Sequence, residues 1–208
     1  MIPAFTKSDF EVFEVDGLEQ RMQALTEIVR PKFQQFGDRY KTYFTESFGN
    51  EFHVHIAKHL RRTVNPPKDS WVALAPNKRG YKAIPHFQIG LWGSHAFIIL
   101  AVIYEAKDKS LMAERLLKKL PTLKKLPADF VVSGDHMSPE GVTLKDAKKE
   151  ILESLLVRLR DVKKGEFVIG RHIPREEAIT MSDEEFAKLI EETFEKLLPV
   201  YNILNGVK

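Results

Sequence analysis

The amino-acid sequence predicts an α+β fold. One compact domain, residues 1–208, is expected to contain a largely antiparallel sheet of about five or six strands packed with about four or five helices. Strand-like segments follow one another directly between residues 52 and 105, separated by short turns, which indicates antiparallel pairing. Segments with helical periodicity lie on both sides of them, and no repeat, low-complexity segment or linker divides the chain.

The first half of the chain is predicted to form a helical region followed by four strands. Apolar residues recur every three or four positions over 17–48, which predicts a helix that Pro31 kinks or divides. Alternation in FHVHI predicts a half-buried strand at 52–56, and AKHLRR (57–62) is interpreted as a short turn of helix. The next strands are predicted at 71–75, 86–92 and 96–105.

The second half is predicted to alternate helices with short strands. Apolar spacing predicts helices at 109–120 and 143–160, and the apolar segments FVVSG and EFVIGRHI predict strands at 130–134 and 166–173. Ser182 and Glu185 form a capping-box pattern, which predicts that a last helix begins there and runs to about Leu198.

Composition excludes several classes of site. The chain has no cysteine, which excludes disulfides, thiolate nucleophiles and cysteine-ligated zinc. The most apolar run, Ala96–Tyr104, is too short to cross a bilayer as a helix. The first residues lack a basic region followed by an apolar run, so we expect a cytoplasmic protein without membrane association. P-loop, dinucleotide-fingerprint, nucleophile-elbow and zinc-helix motifs are also absent.

The segment from His53 to His86 concentrates the titratable chemistry. Lysine and arginine are frequent there, whereas Asp69 is the single acid. Four of the seven histidines lie in the same segment: His53, His55, His59 and His86. This composition predicts a functional site, although ordinary surface charge on a solvated hairpin is the alternative.

The histidines suggest one chemistry for this site. On a strand, His53 and His55 project from the same face, because side chains alternate. With His86 from a neighbouring strand they are candidate metal ligands, or candidate acid–base groups for hydrolysis at a phosphoryl or acyl centre. The alternative is that they line a polar groove. Asp135 and His136 are a further acid–base candidate, although adjacent side chains usually point apart.

The arginines suggest a different chemistry, the binding of an anionic ligand. An arginine offers a planar fork that matches phosphate or carboxylate, and aromatic rings stack on nucleobases. A nucleotide, a phosphorylated metabolite or nucleic acid would suit such a groove, and the residues indicate no particular cofactor. The candidate ligand-binding residues are Lys58, His59, Arg61, Arg62, Asn65, Trp71, Arg79, Tyr81, Lys82, His86 and Gln88. A third hypothesis is a protein-interaction module that uses the helices at 17–48 or 182–198.

Long and specific stretches carry a family resemblance. The chief one is HIAKHLRRTVNPPKDSWVALAPNKRGYKAIPHFQIG at 55–90, supported by YEAKDK at 104–109 and EETFEKLLPVY near the end. These stretches closely resemble the YktB-like family of uncharacterised proteins from Bacillus, Staphylococcus and their relatives. The resemblance covers nearly the whole chain and implies a compact α+β domain of Gram-positive, cytoplasmic origin. It implies no activity, cofactor or catalytic residue.

Overall fold

The structure, a computed structural model, describes residues 2–207. Its strands are β1 (His53–Ile56), β2 (Asp69–Ala75), β3 (His86–Trp92), β4 (His95–Val102), β5 (Val131–Ser133), β6 (Val142–Thr143) and β7 (Phe167–Pro174). Its α-helices are α1 (Lys7–Glu11), α2 (Leu18–Ala24), α3 (Arg30–Phe48), α4 (Lys109–Lys118), α5 (Leu120–Lys124), α6 (Lys149–Asp161), α7 (Arg175–Ala178) and α8 (Asp183–Asn205).

The strands form one seven-stranded sheet in the order β1-β2-β3-β4-β7-β5-β6. The pairs β1–β2, β5–β6 and β5–β7 are antiparallel, and the predicted α+β class is confirmed. The strand number exceeds the prediction because β6 is only two residues long and carries no periodicity that a sequence could reveal. Strand β1 lies at one edge of the sheet, so its second edge pairs with no strand of residues 2–207.

Internal contacts divide the chain into two compact units. Unit 1 contains the residues up to Tyr81 together with Gln88–Phe97 and Ile173–Ile190. Unit 2 contains Lys82–Phe87, Ile98–His172 and the residues from Glu191 onward. A single domain over the whole chain therefore stays a prediction.

Each unit has an aromatic core. In unit 1 the Phe5 ring makes edge contacts with Phe36 at 5.4 Å and Phe186 at 5.1 Å between ring centroids. In unit 2 the Phe87 ring lies 5.5 Å from Phe194 and 5.0 Å from Tyr201. These rings are almost fully buried, so they account for much of the hydrophobic stabilisation.

The helical region before β1 is continuous from Leu18 to Phe48, so Pro31 does not divide it into two helices, and a kink at Pro31 stays a prediction. A π-helical turn, Leu25–Val29, joins α2 to α3, and the N–H of Arg30 donates to the carbonyl of Leu25, five residues back. Because Pro31 has no N–H and its ring crowds the preceding turn, a wider turn just before it relieves the clash. The helix ends at Gly49, whose φ of 68° is left-handed.

Three further differences from the predictions have a clear structural cause. Residues 57–62 form no helix, because the N–H of Ala57 continues the strand pairing by donating to the carbonyl of Trp71. Helix α6 begins at Lys149 rather than 143, since the preceding residues pair with β5. Helix α8 passes through Pro199 to Asn205, because its buried apolar face continues beyond the proline. Among residues 2–207, no helix combines the length and apolar character needed to cross a membrane. A cytoplasmic location stays a prediction.

Candidate functional site

The outer face of β1 and β2 carries the first two predicted histidines. In the strand register, His53 lies opposite Ala75 and His55 lies opposite Ala73. Val54, between them, faces α3, where a Cβ on Gly37 would lie only 2.4 Å from its Cγ1 atom. Because side chains alternate along a strand, His53 and His55 point away from α3, as the sequence predicted.

Two aromatic residues and two histidines of unit 1 form a connected group, which we call the imidazole–aromatic cluster (His55, His59, Trp71 and Tyr81). Trp71 Nε1–H donates to the Tyr81 hydroxyl at 3.0 Å. The Tyr81 ring lies 5.5 Å from the His55 ring, and the His59 ring meets Trp71 edge-on at 5.6 Å. The chain that follows β2 therefore returns Tyr81 to the face of the sheet from which His55 projects.

Both histidines of this cluster favour the neutral form. Burial lowers the pKa of His55, whose Nε2 lies 2.9 Å from the carbonyl oxygen of Asn77. Burial also lowers the pKa of His59 to about 4, and the positive charges of Arg62 and Arg30 lower it further. Both imidazoles can therefore exchange hydrogen bonds with a ligand at neutral pH, where their lowered pKa favours the uncharged form.

His59 also adopts an unusual backbone conformation. Its φ is +52°, in the left-handed region that side chains other than glycine rarely occupy. Its Nε2 lies 3.3 Å from the Ser70 hydroxyl, which helps hold the ring against Trp71. Backbone strain of this kind recurs at functional sites, because the surrounding structure must hold the residue in place.

Four cations extend from the neighbouring segments of unit 1. Lys58, Arg61 and Arg79 are exposed, and Arg62 is half-buried. Within the described part of the chain, no carboxylate lies within 4.0 Å of any of them; Arg62 makes only a long bond of 3.4 Å to the carbonyl of Asn65. Their charge is therefore not neutralised by the protein itself.

The remaining candidates have different environments. The Lys82 ammonium group, in unit 2, lies 3.1 Å from the Glu105 carboxylate. His86 is fully buried in β3, and its Nδ1 lies 2.9 Å from the carbonyl oxygen of Ile84. Gln88 is also buried, with 4% of its surface exposed. An anionic ligand would therefore have to displace Glu105 to reach Lys82, and would need an opening to reach the other two.

Of the three histidines predicted as metal ligands, His53 and His55 belong to unit 1 and His86 belongs to unit 2. Over residues 2–207, one set of three ligating side chains has atoms that all lie within 4.8 Å of one another, and it is Asp135, His136 and Glu166. His53 lies 3.9 Å from the Glu51 carboxylate, on the exposed edge of β1. A metal or hydrolytic role for His53, His55 and His86 stays a prediction.

We call Asp135, His136 and Glu166 of unit 2 the carboxylate–histidine cluster. The Glu166 carboxylate accepts hydrogen bonds from the His136 backbone N–H at 2.8 Å and from the Tyr104 N–H at 3.2 Å. His136 Nδ1 lies 2.7 Å from the same carboxylate. Burial raises the pKa of Glu166, but the hydrogen bonds from His136 and Tyr104 outweigh it, and the pKa lies below its ordinary value.

The sequence pointed to only part of this cluster. The pair Asp135 and His136 was a candidate acid–base couple, but Glu166 was interpreted only as the start of a strand. Thirty residues separate Glu166 from His136, and no local pattern connects them. A charged residue that opens the otherwise apolar run EFVIG was the one available signal, because buried carboxylates usually have a specific partner.

Comparison with known proteins matches the chain to a family without assigned activity. The family model described as a domain of unknown function, DUF1054, matches residues 5–201. A protein of Lysinibacillus sphaericus named UPF0637 protein is 61% identical over 97% of this chain and 96% of its own. UPF0637 proteins of Exiguobacterium sibiricum and Staphylococcus haemolyticus are 50% and 47% identical over 97% and 95% of this chain, and over 98% and 97% of their own lengths.

Among solved structures, a conserved hypothetical protein from Pyrococcus furiosus aligns with 86% of this chain and 99% of its own. It is 14% identical to this chain, with a TM-score of 0.38.

The predicted resemblance to an uncharacterised family of Gram-positive bacteria is confirmed by the sequence relatives.

Proposed function

The chain belongs to the DUF1054 family, whose description assigns no activity, and we propose that it binds an anionic, phosphate-bearing ligand on unit 1. The binding surface consists of the imidazole–aromatic cluster together with Lys58, Arg61, Arg62 and Arg79. One observation supports the proposal above the others. The Trp71 and Tyr81 rings are held by a hydrogen bond beside the imidazoles, and the cations near them have no carboxylate partner among the described residues.

The cations that have no carboxylate partner among the described residues supply the attraction. An arginine paired with a protein carboxylate contributes little to ligand binding, because the ligand must first displace the carboxylate. Arg61 and Arg79 are exposed and need no such exchange. Their guanidinium groups can meet phosphate oxygens in a bidentate geometry that lysine cannot provide. The resulting attraction is expected to weaken as salt increases, since exposed charges are screened within about 8–10 Å.

The aromatic residues favour a ligand that also contains a flat ring. The bond from Trp71 to the Tyr81 hydroxyl holds both rings in place, so little side-chain entropy is lost when a ligand stacks on them. Both residues are only partly buried. Stacking of a base on an aromatic side chain is worth about 1–3 kcal/mol, which favours a nucleotide over a bare phosphate.

The proposal is tested by isothermal titration of the untagged protein with ATP and, separately, with inorganic tripolyphosphate. We expect ATP to bind more tightly than tripolyphosphate, with affinity falling as salt rises. The double variant Arg61→Ala/Arg79→Ala is expected to weaken ATP binding at least tenfold, about 1.4 kcal/mol. Both side chains are exposed, so the variant is expected to fold normally.

The matched control is Lys163→Ala/Lys164→Ala, which removes the same charge from two exposed residues of unit 2. If both double variants lose the same amount of ATP affinity, the effect depends only on net charge. That result would contradict a defined binding surface. Absence of ATP and tripolyphosphate binding at millimolar concentration and low salt would overturn the proposal.

A further inference from the structure

We infer that the carboxylate–histidine cluster is a binding site for one divalent transition-metal ion, with Zn²⁺ as the best match. The site would use Asp135, His136 and Glu166 as its protein ligands. It lies wholly within unit 2 and does not depend on anion binding by unit 1.

The spacing of the three side chains suits a single ion. Zinc binds nitrogen and oxygen ligands at about 2.0–2.2 Å, so ligand atoms of one tetrahedral ion lie about 3.4 Å apart. One ligand atom from each side chain lies within 4.8 Å of the other two. His136 Nδ1 and the Glu166 carboxylate, now 2.7 Å apart, would separate by about 0.7 Å to admit the ion.

The ligands differ in mobility in a way that permits this adjustment. Glu166 is 4% exposed and accepts hydrogen bonds from two backbone N–H groups, so its carboxylate is held in a fixed position. Asp135 is exposed, in the segment that joins β5 to β6, and one of its carboxylate oxygens accepts the Met137 N–H at 2.8 Å. Rotation of this exposed carboxylate can close the site on an ion.

The chemistry of the ligand set selects the class of metal. One imidazole and two carboxylates suit Zn²⁺ or Mn²⁺, whereas Mg²⁺ prefers a shell of oxygen atoms and keeps most of its water. Three protein ligands leave a coordination position for water, as in catalytic rather than structural zinc sites. The Tyr104 ring, 6.5 Å from the His136 ring, borders the cluster.

A neighbouring cation, Lys109, is directed elsewhere. Lys109 interacts electrostatically with Glu166, but its ammonium group donates to the carbonyl oxygens of Leu159, Val162 and Gly165 at 2.9, 2.6 and 3.2 Å. With its donors used in this way, Lys109 anchors the end of α6 instead of forming a direct ion pair with Glu166.

The competing explanation is a purely structural ion pair between His136 and Glu166, and replacement of Asp135 distinguishes it from a metal site. If the two residues form only an ion pair, the Asp135 carboxylate takes no part in zinc binding, and Asp135→Asn would bind zinc no differently from the wild type. A metal site also requires the Asp135 carboxylate. Asp135→Asn preserves the local turn, because an amide oxygen can still accept the Met137 N–H.

The test is titration of the untagged, chelator-treated protein with ZnCl₂, followed by calorimetry and by NMR of the histidine side chains. We expect about one ion per chain and a change in the His136 resonances. Asp135→Asn, His136→Gln and Glu166→Gln are each expected to lower affinity at least tenfold. The control Asp161→Asn removes an exposed carboxylate of unit 2 and is expected to bind zinc as the wild type does.

Three results would overturn the inference. The first is wild-type zinc affinity in Asp135→Asn, a variant that changes only an exposed side chain and so should fold. The second is a zinc response confined to the resonances of His53, His55 or His59, which would place the ion at the histidines of unit 1. The third is absence of zinc binding at micromolar concentration.

Discussion

Replacement of Gly37 by alanine tests which way the histidines of β1 face. The added Cβ would lie 2.4 Å from Val54 Cγ1 and 3.1 Å from Cγ2, whereas carbon atoms in favourable contact lie about 3.5–4.0 Å apart. Strand β1 would have to move by about 1.1 Å, and overpacking of this size costs about 1–3 kcal/mol. Alanine gains about 1 kcal/mol over glycine in a helix, so we expect a net destabilisation of up to about 2 kcal/mol.

The assay is urea unfolding followed by circular dichroism for the wild type, Gly37→Ala, Val54→Ala and the double variant. Val54→Ala removes both clashing methyl groups and leaves only a 3.3 Å contact to the Cβ of residue 54, so in that background Gly37→Ala should destabilise the protein less than it does with Val54 intact. If Gly37→Ala stabilises the protein with Val54 intact, Val54 does not pack on α3 at this point. The inference that His53 and His55 face outward would then be wrong.

Two further predictions concern unit 1. His59 has a folded pKa of about 4, below its unfolded value of 6.5, so its contribution to stability is full above pH 6.5 and falls as pH drops toward 4. Between pH 7 and pH 4, the unfolding free energy of the wild type should fall by about 2 kcal/mol more than that of His59→Gln, after allowance for the partial exposure of His59. A pKa of His59 near 6.5, measured by NMR, would contradict this prediction. Lys32→Met leaves the buried Asp9 carboxylate without the ammonium group 2.6 Å away, and should cost about 3–5 kcal/mol in urea unfolding. Adding Asp9→Asn should restore part of the loss, and full stability of Lys32→Met alone would contradict a dependence on the ion pair.

The sequence determined the elements whose signal is local. Apolar spacing over 17–48 predicted the long helical region, and the apolar run at 96–105 predicted β4, because both patterns repeat within a few residues. The alternation FHVHI placed His53 and His55 on one face of a strand. The absence of cysteine and the stretch at 55–90 likewise required no knowledge of the fold, since they depend only on composition and order.

Tertiary structure decided which side chains meet. Pairing of β6 with β5 moved the start of α6 to Lys149, although the helical spacing extends to 143. Glu166 joined His136 across thirty residues. Such contacts depend on strand pairing between distant segments, which local periodicity cannot encode. Periodicity predicts the face on which a residue lies, whereas the partner on that face is set by the packing of the whole unit.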